Sequence, residues 1–322
     1  MSYAYTSRFA SSINDMRRFR GSLGFSEGTY ASELFNFDQY CTTHYPDAVT
    51  LTEEIVMKWG KRRDSEKING FKHRLIALRQ FGKYLNFKEK VAYVIPVDLI
   101  GKYETYYPYL FTDEEILTFF EEVDNIVLSR QVPFTEFTVP VFFRLAYACG
   151  LRPNELRDLR QYDVDYKSGT LFIYDSKKRK DRILSITPDL AELCLKYDRL
   201  AESRYPNRPW FLQISVKDSH RRRWISNQLR KYWNKSGLFK KSGRYPRVSD
   251  FRHNYATRIL MKWFDEGKDI MVMLPYLSAY MGHAEFQSTA YYIHLLPERL
   301  RNNNSFDWYG FEDLIPEVTH EK

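Results

Sequence analysis

The feature that most constrains this chain is a break in its helical pattern about a third of the way along. Residues 96–111 contain two prolines and a glycine and lack helical periodicity. Thr112 follows directly, with Glu115 three residues later, which is the spacing of a capping box that restarts a helix. We therefore place a domain boundary between residues 105 and 106, in keeping with about two domains for 322 residues.

The patterns on both sides of this boundary are mainly helical. Upstream, Thr50 and Ser65 are predicted helix N-caps, and residues 57–90 carry apolar side chains at helical spacing. Downstream, two short apolar-rich runs, 170–176 and 183–186, flank a charged turn, which predicts a small β-hairpin. The predicted fold is therefore mainly α-helical, with a small hairpin or sheet in the second domain.

Positive charge is concentrated in two stretches of the sequence. Lys and Arg total 49 against 41 Asp and Glu, a net charge of +8, yet 17% aromatic residues indicate a folded chain. Residues 57–90 and residues 217–247 each contain eleven Lys or Arg. Such runs are often only solvated surface, but two of them interleaved with aromatic residues favour a nucleic-acid partner, because phosphate neutralisation supplies most non-specific affinity. The residues expected to contact DNA are Lys58, Lys61, Arg62, Arg63, Lys72, Arg79, Lys180, Arg221, Arg222, Arg223, Arg244 and Arg247.

Several other classes of protein are disfavoured. Cys41, Cys149 and Cys194 form no CxxC pair, so we expect reduced core thiols and no bound metal or other cofactor. GxxxxGK[ST], GxGxxG, HExxH and His-apolar-His patterns do not occur, which argues against a nucleotide fold, a metal hydrolase and a metal-dependent nickase. The most apolar stretch, residues 139–151, is too short to span a bilayer and contains Arg144, so a soluble cytoplasmic protein without membrane association is expected.

Four short segments place polar and basic residues where a phosphate could bind. Arg152 lies between Gly150, which can end a helix, and Pro153, which can start the next, with Glu155 one turn further on. Lys177 follows at the tip of the predicted hairpin. Each of these segments alone is more typical of an ordinary surface.

The other two segments lie nearer the C-terminus. Ser249 and Arg252 are three residues apart at a predicted helix start and so share a face. His283 follows Gly282, and Tyr292 comes nine residues after His283. A lone His after Gly is more often a capping or core residue, and Tyr292 alone would be interpreted as packing.

Taken together, the four segments resemble the tyrosine recombinase, or phage integrase, family. Its members show G-L-R-x-x-E-L, a hairpin K-x-x-K-x-R, H-x-x-R-H, and L-G-H followed nine residues later by Tyr, and this chain matches them in order and spacing. Residues 107–300 carry the resemblance strongly and residues 25–100 more weakly. The segment LPYLSAYMGHAEFQSTAYY is especially similar to the corresponding segment of integrases and transposases of mobile elements. One departure is plain, because Ser249 stands where the family has the first His of H-x-x-R-H.

The resemblance implies an organisation in four parts. These are an N-terminal extension (1–24), a helical core-binding domain that contacts DNA (25–105), a catalytic domain (106–300) and a C-terminal tail (301–322) of the kind that relatives often pass to a neighbouring protomer. The two domains would form a C-shaped clamp around double-stranded DNA, on which the protein would act as a homo-oligomer, from dimer to tetramer.

The resemblance also implies roles for individual residues. Tyr292 would attack a phosphodiester to form a 3'-phosphotyrosyl link, Arg152 and Arg252 would clamp the phosphate, His283 would donate a further hydrogen bond, and Lys177 would protonate the leaving 5' oxygen. Glu155 would position the basic cluster, and Ser249 would donate a hydrogen bond without acting as a base. The alternatives are a tyrosine-type topoisomerase and a recombinase-like DNA-binding protein with weakened catalysis.

Overall fold

The computed structural model divides the chain into two compact units, Met1–Tyr106 and Tyr107–Lys322. No helix in the described part of the chain combines the length and the apolar character needed to cross a membrane. The residues that the structure describes are 3–26, 28–103, 106–127, 134–176, 180–213, 222–283 and 287–295.

The first unit is helical. Its helices are α1 (Ala10–Ser22), α2 (Ala31–His44), α3 (Glu53–Trp59), α4 (Ile68–Phe87) and the short α5 (Val97–Ile100).

Helices α1, α2 and α4 enclose the core of the first unit. Phe9, Ile13 and Met16 are buried together with Phe37 and Phe81, so residues 1–24, predicted to be an extension, contribute to this core. The buried Asp38 carboxylate holds the N-terminal segment, because it accepts hydrogen bonds from the backbone N–H groups of Thr6 (2.7 Å) and Ser7 (3.0 Å). Residues 1–24 pack into the core because the apolar side chains at positions 9, 13 and 16 share one helix face.

Two helices of the first unit start later than predicted. Thr52, not Thr50, caps α3 through its side chain, which accepts a hydrogen bond from Ile55 N. Lys67 is the N-cap residue of α4, so the predicted cap at Ser65 is wrong. Residues before α4 instead bind Arg74. Its buried guanidinium donates to the Glu66 carboxylate (2.8 Å) and to the carbonyl of Lys61 (3.0 Å).

The described part of the second unit contains nine α-helices, two short 3-10 segments and a three-stranded sheet. The first helices are α6 (Asp113–Asp124), α7 (Thr135–Cys149) and α8 (Pro153–Asp158), followed by a 3-10 turn (Gln161–Asp163). The strands are β1 (Val164–Asp165), β2 (Thr170–Ser176) and β3 (Lys180–Ser185). The remaining elements are α9 (Pro188–Arg204), α10 (Arg222–Lys235), α11 (Leu238–Ser242), α12 (Asp250–Asp265), α13 (Ile270–Met281), α14 (Gln287–Ala290) and a final 3-10 helix (Tyr291–Leu295).

An aromatic core forms around α7. Phe111, Phe119, Phe143 and Phe251 are buried against one another, which packs α6 and α12 against α7. The capping box predicted at Thr112 is confirmed, since the Thr112 hydroxyl accepts from Glu115 N (3.2 Å) and the Glu115 carboxylate accepts from Thr112 N (3.0 Å).

The predicted hairpin is confirmed as β2 and β3, which pair antiparallel, and β1 adds a third strand in the order β1-β2-β3. Leu171 and Leu184 are paired and buried, whereas the Phe172–Ile183 pair on the opposite face is largely exposed. Because side chains alternate along a strand, Arg182 shares the inward face of β3 with Leu184. The hairpin tip, with the predicted catalytic Lys177, lies outside the described residues.

Candidate active site

The junction of α7 and α8 positions Arg152. Gly150 ends α7 with a φ of +58°, and a Cβ at this position would lie 2.6 Å from a ring carbon of Tyr255, so the position requires glycine. Pro153 is the first residue of α8. Arg152 is therefore the N-cap residue, with its side chain 22% exposed at the start of the helix.

The Glu155 carboxylate joins two arginines. Its oxygens accept hydrogen bonds from the backbone N–H of Arg152 (2.9 Å) and from Arg152 Nη1 (2.6 Å). They also accept from Arg182 Nη1 (3.0 Å) and Arg182 Nη2 (2.8 Å). Burial raises the pKa of Glu155, but the hydrogen bonds and charge of Arg182, aided by Arg152, outweigh it and leave the pKa below its usual value. Glu155 is therefore an ionised anchor between α8 and β3.

Three arginines from three different elements cap the C-terminal end of α13. Arg182 Nε donates to the carbonyl of Tyr280 (2.8 Å), Arg252 Nη2 to that of Met281, and Arg152 Nη2 to that of Gly282 (2.8 Å). The last carbonyls of a helix lack partners within it and carry partial negative charge, so they suit these cations.

Gly282 allows this close approach. Its φ is +62°, and a Cβ there would lie 2.9 Å from Arg182 Nη1, so a side chain would push the arginine away. The chain turns sharply at this glycine, and His283 is the next residue, beside the capped helix end. The C-terminus of α13 thus sets the position of His283 relative to the arginines.

Of the two predicted clamping arginines, Arg252 is the more deeply buried, at 6% exposure. Its Nη1 donates to the carbonyl of Gly150 (2.8 Å), and its Nη2 lies 3.1 Å from His283 Nε2. The other ring nitrogen of His283, Nδ1, lies 2.7 Å from the hydroxyl of Thr289. Burial, followed by the charge of Arg152, lowers the pKa of Arg252 to about 10, which keeps the guanidinium charged at neutral pH.

Tyr292 lies in the final 3-10 helix and is 3% exposed. Its ring stacks on His283, with 5.8 Å between ring centroids, and lies 5.5 Å from the ring of His253. Burial raises the pKa of Tyr292, and the opposing hydrogen bond and charge of Arg252 do not cancel this effect. The phenol of the protein without DNA is therefore protonated at neutral pH.

Tyr291 differs from Tyr292 in burial. It is only partly buried, yet its ring lies 6.3 Å from His253 and 6.0 Å from Tyr292, whereas neighbouring side chains on an α-helix would point about 100° apart. A 3-10 helix has three residues per turn, which changes the angle between neighbouring side chains.

A cleft of about 530 Å³ opens beside these residues. Ser249 lines it together with Arg152, Arg252, His253 and Tyr292. Ser249 is the N-cap residue of α12, and its carbonyl accepts from the backbone N–H of Arg252 (3.1 Å). Four of the five predicted site positions that the structure describes therefore line this cleft, and the fifth, His283, contacts Arg252.

The predicted DNA-contacting residues of the first unit lie on its surface to different degrees. Lys58, Lys61, Arg62 and Arg63 are exposed, although Lys58 pairs with Glu54 (2.7 Å). Lys72 and Arg79 are partly buried, and Arg79 donates a hydrogen bond to the carbonyl of Ile95.

In the second unit, Arg223, Arg244 and Arg247 are exposed, and Arg247 lines the cleft. Arg244 donates to the carbonyl of Tyr107. Arg221 lies outside the described residues, as do the side chains of Lys180 and Arg222.

Sequence reasoning missed three residues of this region. Arg182 was not among the predicted site residues, although its alternation with Leu184 on β3 indicates an inward-facing arginine. His253 and Arg230 also line the cleft, and the Arg230 guanidinium lies over the ring of Tyr245 at 5.2 Å. Within the described ranges, no three His, Cys, Asp or Glu side chains are grouped so as to hold a metal ion.

Comparison with known proteins identifies the class of this protein. Residues 112–299 match the phage integrase family, so the chain belongs to that family. The prediction of a site-specific tyrosine recombinase is thereby confirmed. A putative integrase/recombinase, y4rB, of Sinorhizobium fredii is 26% identical over 92% of this chain and 95% of its own length. Tyrosine recombinase XerA of Thermococcus kodakarensis is 30% identical over 56% of this chain and 58% of its own.

Solved structures share the fold. The XerH site-specific recombinase bound to its difH substrate, in a pre-cleavage complex, superposes with a TM-score of 0.62 at 21% identity, covering 89% of this chain and 82% of its own. The Tn1549 transposon integrase in complex with transposon right end DNA gives a TM-score of 0.58 at 12% identity, covering 87% of this chain and 94% of its own.

Proposed function

We propose that this recombinase cleaves double-stranded DNA by attack of Tyr292 on a phosphodiester, which forms a 3'-phosphotyrosyl link and releases a 5' hydroxyl. The observation that supports this most directly is the convergence of Tyr292, Arg152 and Arg252 on one cleft. These residues lie up to 140 positions apart in the sequence (292 − 152 = 140).

Arg152 and Arg252 would clamp the non-bridging oxygens of the phosphate. Arginine stays charged and presents several N–H donors in a fixed plane, which suits the charge that develops in a five-coordinate transition state. Their contacts with the carbonyls of Gly282 and Gly150 hold both guanidiniums in place before DNA arrives. His283 is ordered by Thr289 at Nδ1 and would exchange its Nε2 contact with Arg252 for a third hydrogen bond to the phosphate.

The leaving 5' oxygen requires a proton, which we assign to Lys177. An ammonium on a strand turn can approach the scissile bond, and lysine has a pKa that its surroundings tune readily. Arg182 and Glu155 support this assignment, because they fasten β3, the strand that follows Lys177, to the arginine clamp.

The DNA partner and the assembly follow from the same chemistry. The covalent link stores the energy of the broken phosphodiester, so a second DNA end can replace the first without ATP. Strand exchange needs two cleaved sites, so we propose that a homo-oligomer, from dimer to tetramer, acts on the DNA. Arg223, Arg244 and Arg247 would contact phosphates beside the cleft. The lambda integrase structure that shares this fold (TM-score 0.59, 13% identity) is a dimer bound to a core site.

A selection for covalent adducts tests the proposal. The protein is incubated with a library of nicked duplexes of randomised sequence, and strands that remain attached after denaturation are sequenced. We expect an enriched duplex whose adduct maps to Tyr292, is lost in Tyr292→Phe and is retained in Tyr291→Phe. An adduct that persists in Tyr292→Phe would assign the nucleophile elsewhere. Religation to a new end, rather than only to the original one, separates a recombinase from a topoisomerase.

A further inference from the structure

Cleavage requires a group that takes the phenolic proton of Tyr292, and Ser249 does not meet this requirement. A serine hydroxyl donates and accepts hydrogen bonds but does not act as a base near neutral pH. Arg152 and Arg252 are permanently protonated donors. The proton must therefore leave Tyr292 by another route, and this inference rests on the function proposed above.

His253 occupies a suitable place. It follows Arg252 on the first turn of α12 and lines the same cleft as Ser249 and Tyr292. Its ring centroid is 5.5 Å from that of Tyr292, and the two ring planes are tilted by 60°. The imidazole is therefore packed directly against the proposed nucleophile.

One ring nitrogen of His253 is not engaged in a hydrogen bond within the described residues. The backbone N–H of His253 donates to the carbonyl of Ser249 (3.3 Å), as expected in a helix. Its Nδ1, by contrast, is buried and has no hydrogen-bond partner among the residues that the structure describes. Leaving a buried polar atom unpaired is unfavourable, so such an atom calls for an explanation.

His283 is less suited to the same task. Its Nδ1 is engaged with the Thr289 hydroxyl at 2.7 Å, and its Nε2 lies 3.1 Å from Arg252. A ring whose two nitrogens are already occupied by neighbours has to break one of these contacts to accept a proton. His253 has no such contact at Nδ1.

We propose that His253 is a catalytic residue that accepts the Tyr292 proton, a step for which Ser249 offers no basic atom. As the bond from Tyr292 Oη to phosphorus forms and the bond from phosphorus to the 5' oxygen breaks, the phenolic proton moves to His253. The leaving oxygen receives its own proton from Lys177. Religation reverses both transfers.

The surroundings of His253 keep it neutral at rest. Burial lowers its pKa, Arg252 and Arg247 lower it further, and Asp250 on its own helix opposes them. Tyr291 and Tyr292 face it from the final 3-10 helix. A neutral imidazole is the form that accepts a proton, so cleavage is expected to increase with pH through an apparent pKa below about 6.5.

The test measures single-turnover adduct formation between pH 5 and 9 on the duplex enriched in the library selection. We expect His253→Gln to slow cleavage about 10²- to 10³-fold at neutral pH and to remove the acid limb of the profile. Ser249→His combined with His253→Gln should recover at least tenfold, because it restores an imidazole at the cleft. His44→Gln, an exposed histidine of the first unit, is the matched control and should retain the original rate and profile.

Folding is checked by thermal unfolding and by gel shift on the same duplex. If His253→Gln is poorly folded, His253→Ala is assayed with added imidazole, and recovery of the rate supports the proposal. The proposal is overturned if His253→Gln cleaves within threefold of the original protein, if it is slow but keeps the acid limb, or if neither the added imidazole nor the second-site histidine restores activity. Failure of the proposed function is a different result, namely an adduct that survives Tyr292→Phe.

Discussion

Replacement of Glu155 by glutamine tests how the arginine clamp is held together. The Glu155 side chain is 7% exposed and accepts four hydrogen bonds, two from Arg152 and two from Arg182. Glutamine keeps one acceptor oxygen, but its NH2 group would face arginine donors. It also removes the negative charge that separates the two guanidiniums.

The expected loss of stability is large. Removing one partner of a buried ion pair costs about 3–5 kcal/mol, because it leaves an uncompensated charge. For a unit of roughly 200 residues, each kcal/mol shifts the melting temperature by about 2–4 °C, so Glu155→Gln should lower it by roughly 6–20 °C. Glu114→Gln is the control, since Glu114 pairs with Lys241 at 2.9 Å but is 74% exposed. Its cost should stay within about 0.5 kcal/mol.

The stability lost in Glu155→Gln should depend on pH and become smaller in acid. The pKa of Glu155 is lower in the folded protein than in the unfolded chain, where a glutamate titrates near about 4.3. The stabilisation is therefore complete above this value and is lost as the pH falls through the lower, folded pKa. The difference in stability between the original protein and Glu155→Gln should be constant above about pH 5 and shrink below about 4.3.

Calorimetry at several pH values measures both effects, and single-turnover cleavage measures the consequence for Arg152. We expect cleavage to fall by about 10²-fold, since a displaced clamp loses its alignment with the phosphate. A cycle with Arg182→Met should show a coupling of about 0.5–3 kcal/mol between the two positions. If Glu155→Gln melts within 2 °C of Glu114→Gln, the carboxylate does not hold the cluster and the reasoning is wrong.

The remaining predictions concern the reaction, the DNA contacts and one turn. Adduct formation should survive EDTA, because the arginines supply the positive charge; an absolute need for magnesium would contradict the mechanism. Ser249→Ala should slow single-turnover cleavage about tenfold to a hundredfold, because it removes one hydrogen bond worth roughly 1.5–3 kcal/mol. Arg252→Ala should slow it far more. Binding should weaken with salt by a slope near −0.9 per neutralised phosphate, and reversing the charges of Lys61 and Arg63 should reduce it in gel shifts without slowing cleavage of bound DNA. Gly282→Ala should lower the melting temperature by straining a positive φ against Arg182.

Features that depend on a few neighbouring residues could be predicted from the sequence. The capping box at Thr112, the end of α7 at Gly150 and the start of α8 at Pro153 all involve residues within one turn of each other. The N-cap at Ser65 could not be predicted reliably, because a tertiary contact decides it. Glu66 is drawn to the buried Arg74, and α4 begins only after that contact is made.

The same distinction applies to the site. Motif spacing indicated Arg152, Arg252, His283 and Tyr292, since each belongs to a short segment of recognisable order. The partners that hold them were not predictable, because Arg152 donates to a carbonyl 130 residues away and the acceptors are backbone atoms that leave no trace in the sequence. His253 was overlooked for a related reason, since an unpaired ring nitrogen becomes evident only when its surroundings are known.

The charged side chains at the cleft are tightly packed and leave a net positive charge, which suits an anionic partner such as DNA. Arg152, Arg182 and Arg252 converge, and Glu155 is the carboxylate that the described structure places in contact with two of them. The lowered pKa of Arg252 reflects the cost of burying a cation beside other cations. The carbonyls of Gly150, Met281 and Gly282 offset part of that cost, but they are neutral dipoles and leave a net positive charge. A phosphodiester bound as proposed would bring the missing negative charge to guanidiniums that are already held by these contacts, which would limit the reorganisation that accompanies binding. The interactions would then strengthen as the phosphorus becomes five-coordinate and more negative, which is the condition for stabilising a transition state rather than a bound substrate.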